Sequence, residues 1–137
     1  MIKRITQVRV RYSETDQMGY VYYGNYPAFF EVGRAELVRD LGVPYADLER
    51  VHDVMMPVIE MHIEYNTPAR YDDVLTIHTT MLEKPGVKLK FEHEIFGPDG
   101  KLIVKGNVTL ALVRRSNMKP TRPPQYFTDA IEQHWSK

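Results

Sequence analysis

The 137-residue chain has no cysteine, no net charge and no long apolar run. Without thiols there is no disulfide framework, no zinc–thiolate site and no cysteine nucleophile, a composition compatible with a reducing, intracellular compartment. Eighteen basic residues balance eighteen acidic ones, so the overall charge favours neither nucleic acid nor an anionic membrane as a partner. No stretch approaches the ~20 apolar residues needed to span a bilayer. The N-terminal MIKRITQVRV interleaves charges with apolar residues where a signal peptide would run apolar. A cytoplasmic protein is expected. Internal repeats, linkers and low-complexity tracts are also missing. The length fits one domain, residues 1–137, able to bury roughly two-thirds of its unfolded surface.

What is present is mostly two-residue alternation, interrupted by one helical segment. Ile2 to Arg11 alternates and reads as a first strand. Next, Asn25 can cap a helix and Pro27 fits its first turn. From there Tyr26, Phe30, Gly33, Leu37 and Leu41 recur at three or four residues and define a buried face. Glu31, Arg34, Glu36, Arg39 and Asp40 fall elsewhere, with Glu31–Arg34 and Glu36–Arg39 spaced to pair on the surface. Gly42 and Pro44 stop this helix, and Gly33 within it implies that another backbone comes close. A short helical turn is expected around Tyr45 to Arg50.

Four alternating runs follow, at about Ile59–Tyr65, Asp73–Glu83, Val87–Phe96 and Lys101–Val113. They are separated by Thr67-Pro68-Ala69, Pro85-Gly86 and Pro98-Asp99-Gly100, and read as an antiparallel meander. Lys119 to Pro124 is extended, and Phe127 to Trp135 suits a terminal helix. The sum is an α+β fold in which a curved antiparallel sheet wraps one long central helix. One helix covers one sheet face; apolar positions on the other predict self-association.

The stretch YSETDQMGYVYYGNY, Tyr12 to Tyr26, carries the residues hardest to explain as scaffold. Asp16 lies between Thr15 and Gln17, Gly19 permits an unusual dihedral, and Tyr20, Tyr22, Tyr23 and Tyr26 crowd the approach to the helix. A carboxylate and a glycine ahead of a helix can pair an acid or base with the exposed amides of its positive end. Such a site suits a reaction that develops an oxyanion.

These elements, with the aromatic, Thr15-Asp16, Gly19, Val21-Tyr22, Asn25-Tyr26, Glu31 and Arg34 in that order, resemble the hotdog-fold acyl-CoA thioesterases. The resemblance is to the 4-hydroxybenzoyl-CoA thioesterase family and its short bacterial acyl-CoA thioesterase branch, and it covers nearly the whole chain. It implies hydrolysis of an acyl-CoA thioester without a metal or redox cofactor. It also implies a homodimer, often doubled to a homotetramer, with active sites at the subunit interface. Asp16 becomes the nucleophile or general base, and the amides of Gly19, Tyr20 or Val21, near Asn25 and the helix start, become the donors to the thioester carbonyl. Several relatives carry histidine where this chain has Tyr23. A phenol of pKa near ~10 is a poor base at neutral pH, so Tyr23 is expected to orient water or substrate by a hydrogen bond.

Each functional reading has a plainer competitor. Asp16 alone would pass for a turn residue and the tyrosines for packing. Glu31 is either a second carboxylate of the site or the surface partner of Arg34. His62, His78 and His93 lie on separate strands without metal-ligand spacing, and His93 falls in an apolar register where a satisfied core histidine is expected. Among Arg70, Lys84, Lys88, Lys90, Arg114 and Arg115, the adjacent Arg114 and Arg115 are preferred for coenzyme A phosphates. A hotdog module that binds acyl-CoA without hydrolysing it is the alternative function. A hotdog dehydratase ranks lower, because no histidine accompanies Gly19.

Overall fold

A computed structural model describes residues 1–136. Strand β1 spans Ile2–Arg9, and two short 3₁₀ turns, Tyr12–Glu14 and Tyr23–Asn25, lead into helix α1, Tyr26–Asp40. Helix α2 spans Tyr45–His52. Six strands and a helix follow: β2 (Val54–Met55), β3 (Val58–Tyr65), β4 (Val74–Met81), β5 (Lys88–Phe96), β6 (Leu102–Ala111), β7 (Val113–Arg114) and α3 (Gln125–His134). The expected helix and strands are therefore present, the first strand ending at Arg9 rather than Arg11.

The antiparallel sheet has the order β1-β4-β5-β6-β3, and β2 pairs with β7 in a separate ribbon. This corrects the four-strand meander. Only β4, β5 and β6 are sequential neighbours; β3 pairs with β6, Met61 opposite Val108, and β1 takes the free side of β4, Ile5 opposite His78. Residues 66–73 must therefore cross from one side of the sheet to the other. That crossing brings Ala69 and Arg70 against the Tyr12 to Tyr26 stretch, where Val21 donates to the Ala69 carbonyl at 2.8 Å and Tyr20 bridges Arg70.

Alternation sorts the sheet faces as expected. Leu75, Ile77, Thr79 and Met81 of β4 and Leu89, Phe91, His93 and Ile95 of β5 are buried beneath α1. On the helix Phe29, Phe30, Leu37 and Val38 are buried against them, each contributing about 1.5–3 kcal/mol. The opposite sheet face is not apolar, as expected from the pattern, but charged, with Lys88, Lys90, Glu92, Glu94 and Lys105 exposed. Exposed apolar side chains gather on the edge strands instead: Ile5 on β1 and Val58, Ile59 and Tyr65 on β3.

Arg34 is a second correction. Glu36 and Arg39 pair on the surface, but Arg34 makes no ion pair with Glu31 and is buried. The reason is its phase, because Tyr26, Phe30, Arg34 and Val38 recur every four residues and form one ridge of α1.

His93 is buried as expected, yet only half satisfied. Its Nδ1 lies 3.1 Å from Thr79 Oγ1, and Nε2 has no partner. Burial, and secondarily the nearby Arg34 charge, push its pKa down to about 3. The unfolded chain binds this proton near 6.5 and the folded chain does not, so His93 leaves stability intact above pH 6.5 and removes it as pH falls toward 3. Across that window the loss approaches about 1.4 kcal/mol per pH unit. Thermal melts of His93→Gln should show a shallower acid limb than the native protein; parallel limbs would exclude His93 as the titrating group.

Candidate active site

The segment around Asp16 is a closed loop. Thr15 and Val21 bridge across its neck, the Asp16 amide donates to the Tyr20 carbonyl at 2.8 Å, and Gly19 donates back to the Asp16 carbonyl at 3.0 Å. Gly19 takes φ +82°, a left-handed conformation that strains other residues. The Asp16 side chain, half-buried, lies inside this frame. Its Oδ1 accepts from the amides of Met18 at 2.9 Å and Tyr20 at 3.3 Å. Oδ2 takes no hydrogen bond among the described residues. One oxygen is thus held and the other left for chemistry.

A second set of bonds ties the loop to the helix start. The Glu14 carbonyl accepts from the Tyr22 amide at 2.9 Å and from Asn25 Nδ2 at 2.8 Å. Asn25 therefore does not cap α1 with its side chain; it fastens the loop, and the preceding 3₁₀ turn supplies the helix start instead. Tyr26 follows, buried, its phenol pushed up to about 12 chiefly by burial, with a smaller contribution from the Asp16 charge.

The three amides expected to face a carbonyl are already engaged. Gly19 donates to Asp16, Tyr20 to Asp16 Oδ1, and Val21 to Ala69. None is left for an oxyanion, because the loop consumes them in closing. The amides of Tyr23 and Gly24 open the turn before α1, have no acceptor within that turn, and belong to exposed residues.

Tyr23 is 63% exposed. Its ring meets Tyr22 at 4.7 Å and Tyr65 at 6.3 Å between centroids, and its carbonyl accepts from Tyr65 Oη at 3.2 Å. The neighbouring Tyr23 phenol raises the pKa of the Tyr22 phenol. Tyr65, on the edge strand β3, is a site neighbour that local sequence did not reveal, since it arrives through sheet register. Arg70 is another. Its guanidinium lies 5.5 Å from the Tyr20 ring, held there by the crossing segment.

Arg114 and Arg115 lie elsewhere, on and after β7, with their amides bound to the Lys119 and Asp53 carbonyls. No hydrogen bond or ion pair joins them to the Asp16 loop among the described residues. Glu31 is exposed on α1, and no hydrogen bond or ion pair joins its side chain to the Asp16 loop among the described residues. Lys84 pairs with Glu132 near the C-terminal helix. No group of three or more histidine, aspartate or glutamate side chains gathers as a metal site, and no helix is long and apolar enough to cross a membrane, among the described residues.

A family model of the thioesterase superfamily matches residues 18–104, more than half of the chain. The chain belongs to this superfamily. It is 37% identical over 123 residues to a putative acyl-CoA thioesterase, YneP, of Bacillus subtilis, covering 90% of this chain and 88% of that one. It is 35% identical over 128 residues to the acyl-CoA thioester hydrolase YbgC of Escherichia coli, covering 92% and 93%. Among solved structures, a DHNA-CoA thioesterase from Staphylococcus aureus superposes with a TM-score of 0.90 at 32% identity, covering 97% of this chain and 91% of that one. A 4-hydroxybenzoyl CoA thioesterase complexed with 4-hydroxybenzoyl CoA superposes at 0.84, covering 97% and 99%; at 20% identity that likeness concerns the fold. The helix wrapped by an antiparallel sheet in this superfamily chain is the hotdog fold.

Proposed function

We propose that this chain hydrolyses acyl-CoA thioesters, with Asp16 as the nucleophile or general base. The observation that carries the reading is the Asp16 carboxylate, one oxygen pinned by two amides and the other unpartnered, at the foot of a helix. In a superfamily of thioester hydrolases this is the arrangement the reaction requires. Either Asp16 Oδ2 attacks the thioester carbonyl carbon and expels the coenzyme A thiolate, leaving a mixed anhydride that water then hydrolyses to free acid and the Asp16 carboxylate, or it takes a proton from water as that water attacks and passes it to the departing thiolate; on both routes the carbonyl oxygen gains charge. The free amides of Tyr23 and Gly24 suit the developing oxyanion better than those of Gly19, Tyr20 and Val21. Tyr23 thus takes part through its backbone, while its phenol stays at the entrance to position substrate. No step asks for a metal. Thiol release from a panel of short, long and aromatic acyl-CoAs tests the activity, and its dependence on Asp16 tests the site.

Arg70, the guanidinium beside the loop, replaces Arg114 and Arg115 as the cation best placed for coenzyme A phosphates. Arg70→Ala should raise KM for acyl-CoA several-fold and leave kcat nearly unchanged. An unaltered KM would remove Arg70 from the binding site.

A homodimer fits the edge strand β3. It pairs only with β6, and Val58, Ile59 and Tyr65 stand exposed along it. A sheet edge with apolar side chains is a ready pairing surface, and a two-fold partner would cover it with a copy of itself. Light scattering should give twice or four times the 16.0 kDa chain mass; a particle of chain mass at micromolar concentration would defeat the proposal.

A further inference from the structure

Among the described residues Arg34 is the one cation that the fold buries, at 6% exposure. Its Nε and Nη1 find no hydrogen-bond partner, and no carboxylate reaches it. Beside it the Tyr45 hydroxyl is also unpartnered. Both residues line a cavity of about 380 Å³, completed by Glu31, Glu49 and the apolar side chains of Val54, Met56, Val58 and Leu110. That volume is in the range that holds a small organic group.

The chemistry of this lining is unbalanced toward donors at depth. The guanidinium offers only N–H groups. The Tyr45 phenol, pushed up to about 12 by burial against the lowering effect of Arg34, keeps its proton at any physiological pH. Glu31 and Glu49 are exposed, so their charges are screened by water. Arg34 acts from a site of several-fold lower effective dielectric, where its field on a neighbouring anion prevails. A buried guanidinium lacking a counter-charge is costly, and a carboxylate is the planar anion that matches it.

The cavity is also suitably placed. Tyr26, Phe30 and Arg34 stand at four-residue spacing on one ridge of α1, which begins beside the Asp16 loop. Eight residues of helix carry that ridge about 12 Å. Arg34 therefore stands from the helix start at about the reach of an extended ten-carbon acyl chain.

We propose that this cavity receives the far end of the acyl group, and that Arg34 with Tyr45 selects chains ending in a carboxylate, the monothioesters of dicarboxylic acids, over methyl-ended chains of equal length. The proposal rests on the thioester-hydrolase reading for the identity of the ligand, and on the cavity for its selectivity.

The test compares sebacoyl-CoA with decanoyl-CoA, ten-carbon chains of about 11 Å that match the distance to Arg34 and differ only at the terminal carbon. The native protein should favour sebacoyl-CoA in kcat/KM by about tenfold or more. Arg34→Gln should bring the ratio close to one, chiefly by slowing the sebacoyl substrate, and Tyr45→Phe should lower it by a smaller factor. A native ratio near one, or a preference that survives Arg34→Gln, overturns the proposal. Should Arg34→Gln not fold by circular dichroism, the native ratio and Tyr45→Phe decide: a preference untouched by loss of the hydroxyl overturns it. Calorimetric binding of the same two thioesters to Asp16→Asn separates the two readings. If the native protein turns over no thioester yet sebacoyl-CoA binds Asp16→Asn more tightly than decanoyl-CoA, hydrolysis falls and the cavity assignment stands; equal affinities reject the cavity assignment whatever the turnover.

Discussion

Replacing Asp16 by asparagine is expected to lower kcat for acyl-CoA hydrolysis by about 10³-fold or more, while the melting temperature and particle mass stay close to native. The substitution is nearly isosteric. Its amide oxygen can still accept from Met18 and Tyr20, so the bonds that close the loop at 2.9 and 3.3 Å survive. What is lost is the second carboxylate oxygen, the one without a partner, and with it both nucleophile and base. Donors to the carbonyl oxygen would remain, so residual turnover above the uncatalysed rate is consistent with the mechanism.

The measurement is release of free thiol, alongside circular dichroism and light scattering on the same preparation. Near-native kcat in a folded Asp16→Asn would refute the assignment of Asp16. A native protein that binds acyl-CoA saturably and releases no thiol would instead be a non-hydrolytic binding module. Loss of activity accompanied by loss of the dimer would point to scaffold, since Asp16 Oδ1 also holds the loop together.

Much of this architecture was legible because the determinants are local. The change from two-residue to four-residue spacing marks α1 to within a residue, and Pro85-Gly86 and Pro98-Asp99-Gly100 mark turns whose chemistry is in the residues themselves. Gly19 and Asp16 stood out for the same reason. What escaped was long-range. Nothing in Ile59 to Tyr65 says that this strand pairs with β6 rather than β4; that follows from β1 occupying the other side of β4. The same pairing delivers Tyr65 and Arg70 to the Asp16 loop from more than forty residues away. Amides are anonymous in sequence: whether those of Gly19, Tyr20 and Val21 are free depends on what the folded loop does with them, and here it engages all three. Arg34 was assigned to the surface by residue type, although its spacing from Tyr26 and Phe30 put it on the buried ridge. There the period was the better guide than the charge.

Gly33→Ala should destabilise the protein by about 1–3 kcal/mol, even though alanine is favoured over glycine inside a helix by about 1 kcal/mol. Propensity alone predicts the opposite sign, so the outcome discriminates. A Cβ at residue 33 would overlap Thr79 Oγ1 and lie 2.9 Å from Ile77 Cγ2 and 3.5 Å from His93 Nδ1. Thr79 and Ile77 belong to β4, an inner strand of the sheet, and are fully buried. Turning Thr79 aside would break its hydrogen bond to His93 and leave both ring nitrogens of a buried histidine unpartnered, at a cost of about 1–3 kcal/mol. Lifting α1 instead would strain the packing of Phe30 and Leu37 on the sheet by a similar amount. Either route exceeds the helix gain. The melting temperature should fall by at least about 4 °C, and an unchanged or raised value would show that the helix and sheet have slack at this contact. In a Thr79→Ala background the penalty should shrink, since the overlapping oxygen is gone. The effect should extend to catalysis. The same helix carries Tyr26, next to the Tyr23 and Gly24 amides, past Asp16, so lifting α1 would separate the donors from the carboxylate and lower kcat together with stability.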